Sequence, residues 1–266
     1  MSALTIRPIN TGFVTTVPKE YLYHHSVVNY YKNIPDGRIE MPVFVFLIEG
    51  GDKTVLVDTG MAWSERASKY HHPGSNQPEG MSIIEQLNKI DMSPKDIDVI
   101  IFTHLHWDHC YYVDCFTNAE LVVHETEYNF AFNPIPLYYK SYEHPALGIT
   151  RPFEGLDFRK VRGDSSIIDG VSVFETPGHS PGHMSVAVQT KSGEYICAGD
   201  SIFTMDNINP VPEMHYNITP PGRFYNIIET WNSIEIQKNR VKDPSFILCC
   251  HDEGLIARVK DSPVFK

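Results

Sequence analysis

Ile100-Ile101-Phe102-Thr103-His104-Leu105-His106-Trp107-Asp108-His109 is the stretch on which the fold turns. Three imidazoles and a carboxylate fall within six residues, directly after an apolar run that reads as a buried strand. Burying four such side chains in one turn is costly unless they find partners. A metal ion is the natural partner. In a tight turn leaving a strand, His104 and His106 can converge on one ion while Asp108 and His109 point across to a neighbour, and two-metal sites hold their ions about 3.5–4 Å apart.

Upstream, the apolar runs 43–48 and 54–57 flank the turn Glu49-Gly50-Gly51-Asp52-Lys53 and read as a β-hairpin. It ends in Val57-Asp58-Thr59-Gly60, where Asp58 either caps the turn through its own backbone or belongs to a site at the strand end. Residues 4–17 have β character, and His24-His25 in the aromatic stretch 21–31 reads as a surface or pocket-rim pair. Residues 63–78 read as a loop with His71-His72 solvent-exposed. Ser82 and Glu85 form a capping box, and Ile83, Ile84, Leu87 and Ile90 share one helical face, so a helix feeds the strand 98–103.

Downstream, 120–124 reads as a strand and 125–132 as a helix, while 133–153 is rich in Pro and Tyr without a period. Long irregular segments in compact domains are usually functional, which makes this one a candidate pocket wall or homodimer contact. The strand 171–175 runs into Thr176-Pro177-Gly178-His179-Ser180-Pro181-Gly182-His183. A hairpin over 185–198 ends in Gly199-Asp200-Ser201, and a Pro-rich loop, 203–221, follows. From Gly222 the recurrence of Phe224, Ile227, Ile228, Trp231 and Ile234 predicts a helix with a core-facing stripe, and a last strand, 246–249, delivers Cys250-His251. Metal-capable side chains thus gather at strand ends, as in layered α/β sheets. Each half contains a hairpin, and no linker separates them; residues 1–266 read as one domain with loop insertions near 133–153 and 203–221.

The net charge of −11, from 22 basic against 33 acidic residues, argues against nucleic acid or an anionic membrane as the main partner. No basic leader precedes an apolar run and no run is long enough to span a membrane, which points to the cytoplasm. Five cysteines, an odd number without a framework, read as buried or partly buried thiols rather than a disulfide scaffold. Cys110 and Cys250 adjoin His109 and His251, which leaves a ligand or redox role open for both. Imidazole and carboxylate donors suit Zn, Fe, Mn or Co in an open, catalytic site, and so point to hydrolysis.

The motifs Val57-Asp58-Thr59-Gly60, Thr103 to His109, Thr176-Pro177-Gly178-His179, Ala198-Gly199-Asp200-Ser201 and Cys250-His251 resemble, in order, those of the metallo-β-lactamase-fold hydrolase superfamily, and most closely its N-acyl homoserine lactonase branch. The resemblance implies an αββα four-layer sandwich with the site at one edge of the facing sheets. It further implies two divalent ions, most simply zinc, with His104, His106 and His179 on one, Asp108, His109 and His251 on the other, and Asp200 bridging. Asp58 would accept a hydrogen bond from a ligand imidazole, His183 would be structural, and Asp108 would shuttle the proton of a bridging water to the leaving alkoxide. The implied reaction is opening of a small lactone, a small-molecule substrate. The alternatives are another ester, amide or thioester, di-iron redox chemistry, or a non-catalytic binding module. One position departs from the branch: its tyrosine three residues after the bridging aspartate is Phe203 here. Tyr138, Tyr139, Tyr142 or Tyr216 would have to supply the phenol, and Phe203, Tyr138, Tyr139 and Tyr216 are the expected pocket residues.

Overall fold

In the computed structural model, which describes residues 3–31 and 34–266, the chain forms two sheets in sequence order. The elements are β1 (Thr5–Thr16), α1 (Pro18–Tyr21), β2 (Ile39–Glu49), β3 (Val55–Val57), α2 (Ser64–Tyr70), α3 (Ile83–Asn88), β4 (Val99–Ile101), β5 (Glu120–His124), α4 (Glu125–Phe132), β6 (Arg159–Val161), β7 (Ser165–Ile168), β8 (Val171–Glu175), β9 (Met184–Gln189), β10 (Glu194–Cys197), α5 (Ile227–Arg240), β11 (Ile247–Leu248) and α6 (Glu253–Asp261), with short 3₁₀ turns between them. The first sheet has the order β1-β2-β3-β4-β5-β6 and the second β11-β10-β9-β8-β7.

Alternation along the strands builds the layers. Phe44, Phe46, Ile48, Val55, Val57, Val99, Ile101 and Val122 face the second sheet, where Val171, Val173, Met184, Val186, Val188 and Leu248 meet them in one buried cluster. The intervening residues Val45, Leu47, Leu56, Ile100, Leu121 and Val123 point the other way and pack on Ile83 and Leu87 of α3 and Ala131 of α4. On the far side of the second sheet, Ile234 of α5 packs with Ala198 and Ile247. The result is an αββα sandwich. Strands buried on both faces explain why these runs read as continuously apolar.

Strand direction then fixes the site. β3, β4 and β5 are parallel, so the ends of β3 and β4 release Asp58 and His104 at the same edge. β10 and β11 are parallel as well, which brings Asp200 and His251 to one edge. The antiparallel β2–β3 pairing, with Phe46 opposite Val57, is the hairpin expected from the sequence.

Three elements differ from expectation. Residues 64–70 are helical rather than loop; α2 buries only Ala67, so it carries no apolar period. α5 begins at Ile227, not Gly222, because Asn226 caps it by accepting from the backbone N–H groups of Ile228 and Glu229. Its buried face is Thr230, Ser233, Ile234 and Gln237, while Ile228 is 70% exposed, so the expected apolar stripe is largely not core. α6 has no sequence signal beyond Leu255 and Val259, which plug one end of the inter-sheet core. Cys115 is exposed, and the other four cysteines are buried; none is in a disulfide.

Candidate metal centre

Six of the seven proposed ligands meet in two groups. His104, His106 and His179 present ligand atoms within 4.8 Å of one another, and so do His109, Asp200, Cys250 and His251. Asp200 stands between them. Its Oδ2 lies 3.3 Å from His179 Nε2 and 3.9 Å from His104 Nε2, while Oδ1 lies 3.2 Å from His109 Nε2 and 3.1 Å from His251 Nε2. Asp108 is at the margin of the second group, with Oδ2 3.8 Å from His251 Nε2.

Hydrogen bonds behind the ligands set their tautomers. Asp58 accepts from the Thr103 backbone N–H and hydroxyl at 2.8 Å each and from His109 Nδ1 at 2.9 Å. The Thr103 hydroxyl, having donated to Asp58, accepts from His104 Nδ1 at 3.0 Å. His251 Nδ1 donates to the Pro42 carbonyl at 2.8 Å. All three rings therefore turn Nε2 inward, the arrangement by which outer partners orient metal ligands. Asp58 holds its place at φ 61°, a left-handed conformation that only the surrounding bonds make tolerable.

Asp200 is positioned just as tightly. Its backbone N–H donates to His183 Nε2 at 3.1 Å, and His183 Nδ1 donates to the Thr176 hydroxyl at 2.8 Å. Gly199 has φ 54°, and a Cβ there would stand 2.5 Å from His183 Nε2 and 2.8 Å from Thr103 Cβ. Only glycine fits. The Cys250 thiol donates to Asp200 Oδ1 at 2.9 Å, and the Cys110 thiol to the His106 carbonyl at 3.2 Å. Burial pushes both thiols well above their ordinary value, and nearby carboxylates push them further.

The buried Nε2 atoms of His104 and His109 have no hydrogen-bond partner among the described residues. Burial holds His104 and His106 well below the usual imidazole value and lowers His179 to about 4. Burial also opposes charge on His109 and His251, but the Asp200 carboxylate outweighs it and raises both. Burial likewise disfavours an ionised Asp200, yet His251, His109 and His179 hold it well below the carboxylate range. His104, His106 and His179 are held neutral, and a bound cation would displace the protons that Asp200 favours on His109 and His251. Neutral imidazoles around an ionised carboxylate are a donor set for divalent cations. The residues fit two metal ions.

The sequence profile of the Metallo-beta-lactamase superfamily matches residues 38–251. The chain belongs to this superfamily. An N-acyl homoserine lactonase of Bacillus thuringiensis is 31% identical over 192 residues, covering 69% of this chain and 72% of the relative. The AttM lactonase of Rhizobium radiobacter is 25% identical, covering 91% and 92%. A solved N-acyl homoserine lactone hydrolase with the product N-hexanoyl-L-homoserine at its catalytic metal centre has a TM-score of 0.74 at 26% identity, covering 97% of both chains.

This superfamily member departs from expectation around the cavity above the candidate metal ligands. A space of about 50 Å³ touches His106, Asp108, His179, Asp200 and His251, and its remaining wall includes Tyr21, His72, Ser141, Phe203 and Arg223. Of the four expected pocket residues, only Phe203 is among these. Its ring stands edge-on to His179 at 5.3 Å and 5.9 Å from His251. Tyr138 is buried against Phe130 in the core, Tyr139 stacks on His144 at 4.0 Å, and Tyr216 packs on Trp231 at 5.1 Å. Tyr142 backs the His106 ring, but its hydroxyl is committed to Glu127.

His71 and His72 are likewise not solvent-exposed. His71 stacks flat on Trp107 at 4.2 Å and bonds Glu143 at 2.7 Å, while His72 lines the cavity and lies 3.3 Å from the Tyr21 hydroxyl. The sequence reading also passed over Glu127 and Glu143, two buried carboxylates that tie the ligand loops together. Both are acids in apolar or aromatic surroundings, which is the signal that could have marked them.

Proposed function

We propose that the protein is a dinuclear-metal hydrolase that opens a lactone ring, acting on a small molecule in the cytoplasm. The observation that carries this is the placement of Asp200, one oxygen toward His104 and His179 and the other toward His109 and His251. The lactonase relatives support the ring-opening chemistry. Nitrogen and carboxylate donors favour zinc. Free thiols in all five cysteines suit a reducing compartment. Among the described residues no helix is long and apolar enough to cross a membrane. Ile135 and Leu137, 53% and 71% exposed on the segment 133–153, support a homodimer contact there.

When bound, two divalent cations supply Lewis acidity, making water more acidic and polarising a carbonyl. The chain does the rest. Asp58, Thr103 and the Pro42 carbonyl keep the imidazole lone pairs aimed inward. Asp108, on the cavity floor, takes the proton of the attacking water and delivers it to the leaving alkoxide. Tyr21 is the tyrosine on the cavity wall, and its phenol donates to the carbonyl oxygen in place of the hydroxyl that Phe203 lacks. Burial raises the Tyr21 phenol despite the opposing charge of Arg223, so it remains a donor at neutral pH. Phe203 closes one side and excludes water.

The test is acid release from a lactone panel by zinc-loaded protein. Asp200→Ala is expected to lose both bound metal and turnover. Equal turnover before and after exhaustive chelation would remove the metal mechanism.

A further inference from the structure

The small space over the candidate ligands adjoins a second cavity of about 290 Å³, and the two share Tyr21, His72, Trp107, Ser141 and Arg223 as common wall. Arg38 and Lys140 line the larger cavity, while Glu20 at the rim is its acid. The protein carries net charge −11 and nine arginines. Six of these, Arg7, Arg66, Arg151, Arg159, Arg162 and Arg240, pair with carboxylates. Of the remaining three, Arg38 and Arg223 both face this cavity.

Arg223 is half-buried and close enough for its charge to act on His106, His179 and Tyr21. Its guanidinium lies 5.4 Å from the Tyr138 ring centre, and its side chain has neither a carboxylate nor a hydrogen-bond partner among the described residues. Among the described residues, Arg38 meets only the Pro73 carbonyl, at 3.3 Å. Leaving a partly desolvated guanidinium without an acceptor is costly, and such groups are suited to bidentate capture of carboxylate or phosphate. The volume is that of a small ligand, and its walls lack the apolar lining a long acyl chain requires. The apolar groove of about 300 Å³ beside Tyr216 and Trp231 shares no lining residue with either cavity.

Resting on the hydrolytic reading above, we infer that the substrate is a small ester or lactone bearing an anionic oxygen group, carboxylate or phosphate, that docks on Arg223 and Arg38 while the scissile carbonyl reaches the Asp200 centre.

The experiment uses the full chain. Zinc-loaded protein is given two γ-lactones that differ only in a terminal methyl or carboxylate on the side chain. The acid is expected to have a kcat/KM about tenfold or more higher, expressed in KM, and Arg223→Met is expected to collapse that ratio while Arg223→Lys retains part of it. Equal or inverted preference in the wild type, or a ratio unmoved by Arg223→Met, overturns the inference. A second arm titrates metal-free protein with glutarate and with methyl phosphate by calorimetry. Binding that Arg223→Met weakens supports the site, and the tighter probe assigns the group; no binding of either overturns it. Glutarate or phosphate binding without opening of either lactone would refute ring opening and leave the anion site standing.

Discussion

In the proposed mechanism individual side chains divide into those that hold the centre and those that touch the substrate, and the two are expected to respond differently to substitution. Asp58 fixes His109 and, through Thr103, His104. In Asp58→Asn the amide offers a donor where His109 Nδ1–H needs an acceptor, so affinity for the metal at the His109 group is expected to fall about 10–100-fold, read as metal retained against a graded chelator. Tyr21→Phe leaves every ligand in place. It is expected to lower kcat about 100-fold with little change in metal content, and an unchanged kcat would show that another group meets the carbonyl. The candidate ligands were legible because each directly follows an apolar strand. Tyr21, His72 and Arg223 were not, because they sit at or beyond the ends of short or weakly patterned elements whose approach to the centre depends on how α1, α2 and the loop before α5 pack.

Elements of secondary structure were legible in proportion to their apolar period. β2 through β5 and the capped α3 carry strong patterns, whereas α2 buries one alanine and α5 buries a mostly polar face. On that face Gln237 and Ser233 bond to Ser201 and the Pro177 carbonyl, so α5 braces the two loops that carry Asp200 and His179. α4 does the same from the other sheet. Buried Glu127 accepts from the Leu105 and Gly182 backbone N–H groups and the Tyr142 and Ser180 hydroxyls, at 3.0, 3.3, 2.8 and 2.6 Å. It thereby joins the His104–His109 turn to the His179 loop. Glu127→Gln replaces one acceptor oxygen by a donor and strands at least one of these groups. A loss of roughly 1–3 kcal/mol in urea unfolding is expected, with looser metal binding. An unchanged midpoint would mean that the loops are held by their own turns alone.

At the scale of the molecule, both sheets bring their ligand-bearing strand ends to one edge, and the αββα order follows from alternation that the sequence displays on both faces of each strand. How the segment 133–153 packs was not legible, since its contacts are with residues distant in sequence. Glu143 in that segment accepts from Arg66 Nε and Nη2 at 3.0 and 2.7 Å and from His71 Nε2 at 2.7 Å, and His71 stacks on Trp107 of the ligand turn. Burial opposes ionisation of Glu143, but the bonds from His71 and Arg66 outweigh it and leave the carboxyl below its usual value. A carboxylate with a depressed folded-state pKa contributes stability that is complete above its unfolded pKa and disappears as pH falls through the folded one. The unfolded value is near that of free glutamate, about 4.3. Metal-free wild type and Glu143→Gln should therefore differ most in melting temperature at about pH 6–8, and the gap should close below about pH 4. Using metal-free protein in both cases keeps cation loss in acid from mimicking the effect. A gap that stayed constant down to acid pH would show that the amide disturbs packing around the left-handed Glu143 backbone rather than removing a charge, and would detach this ion pair from the positioning of the ligand turn.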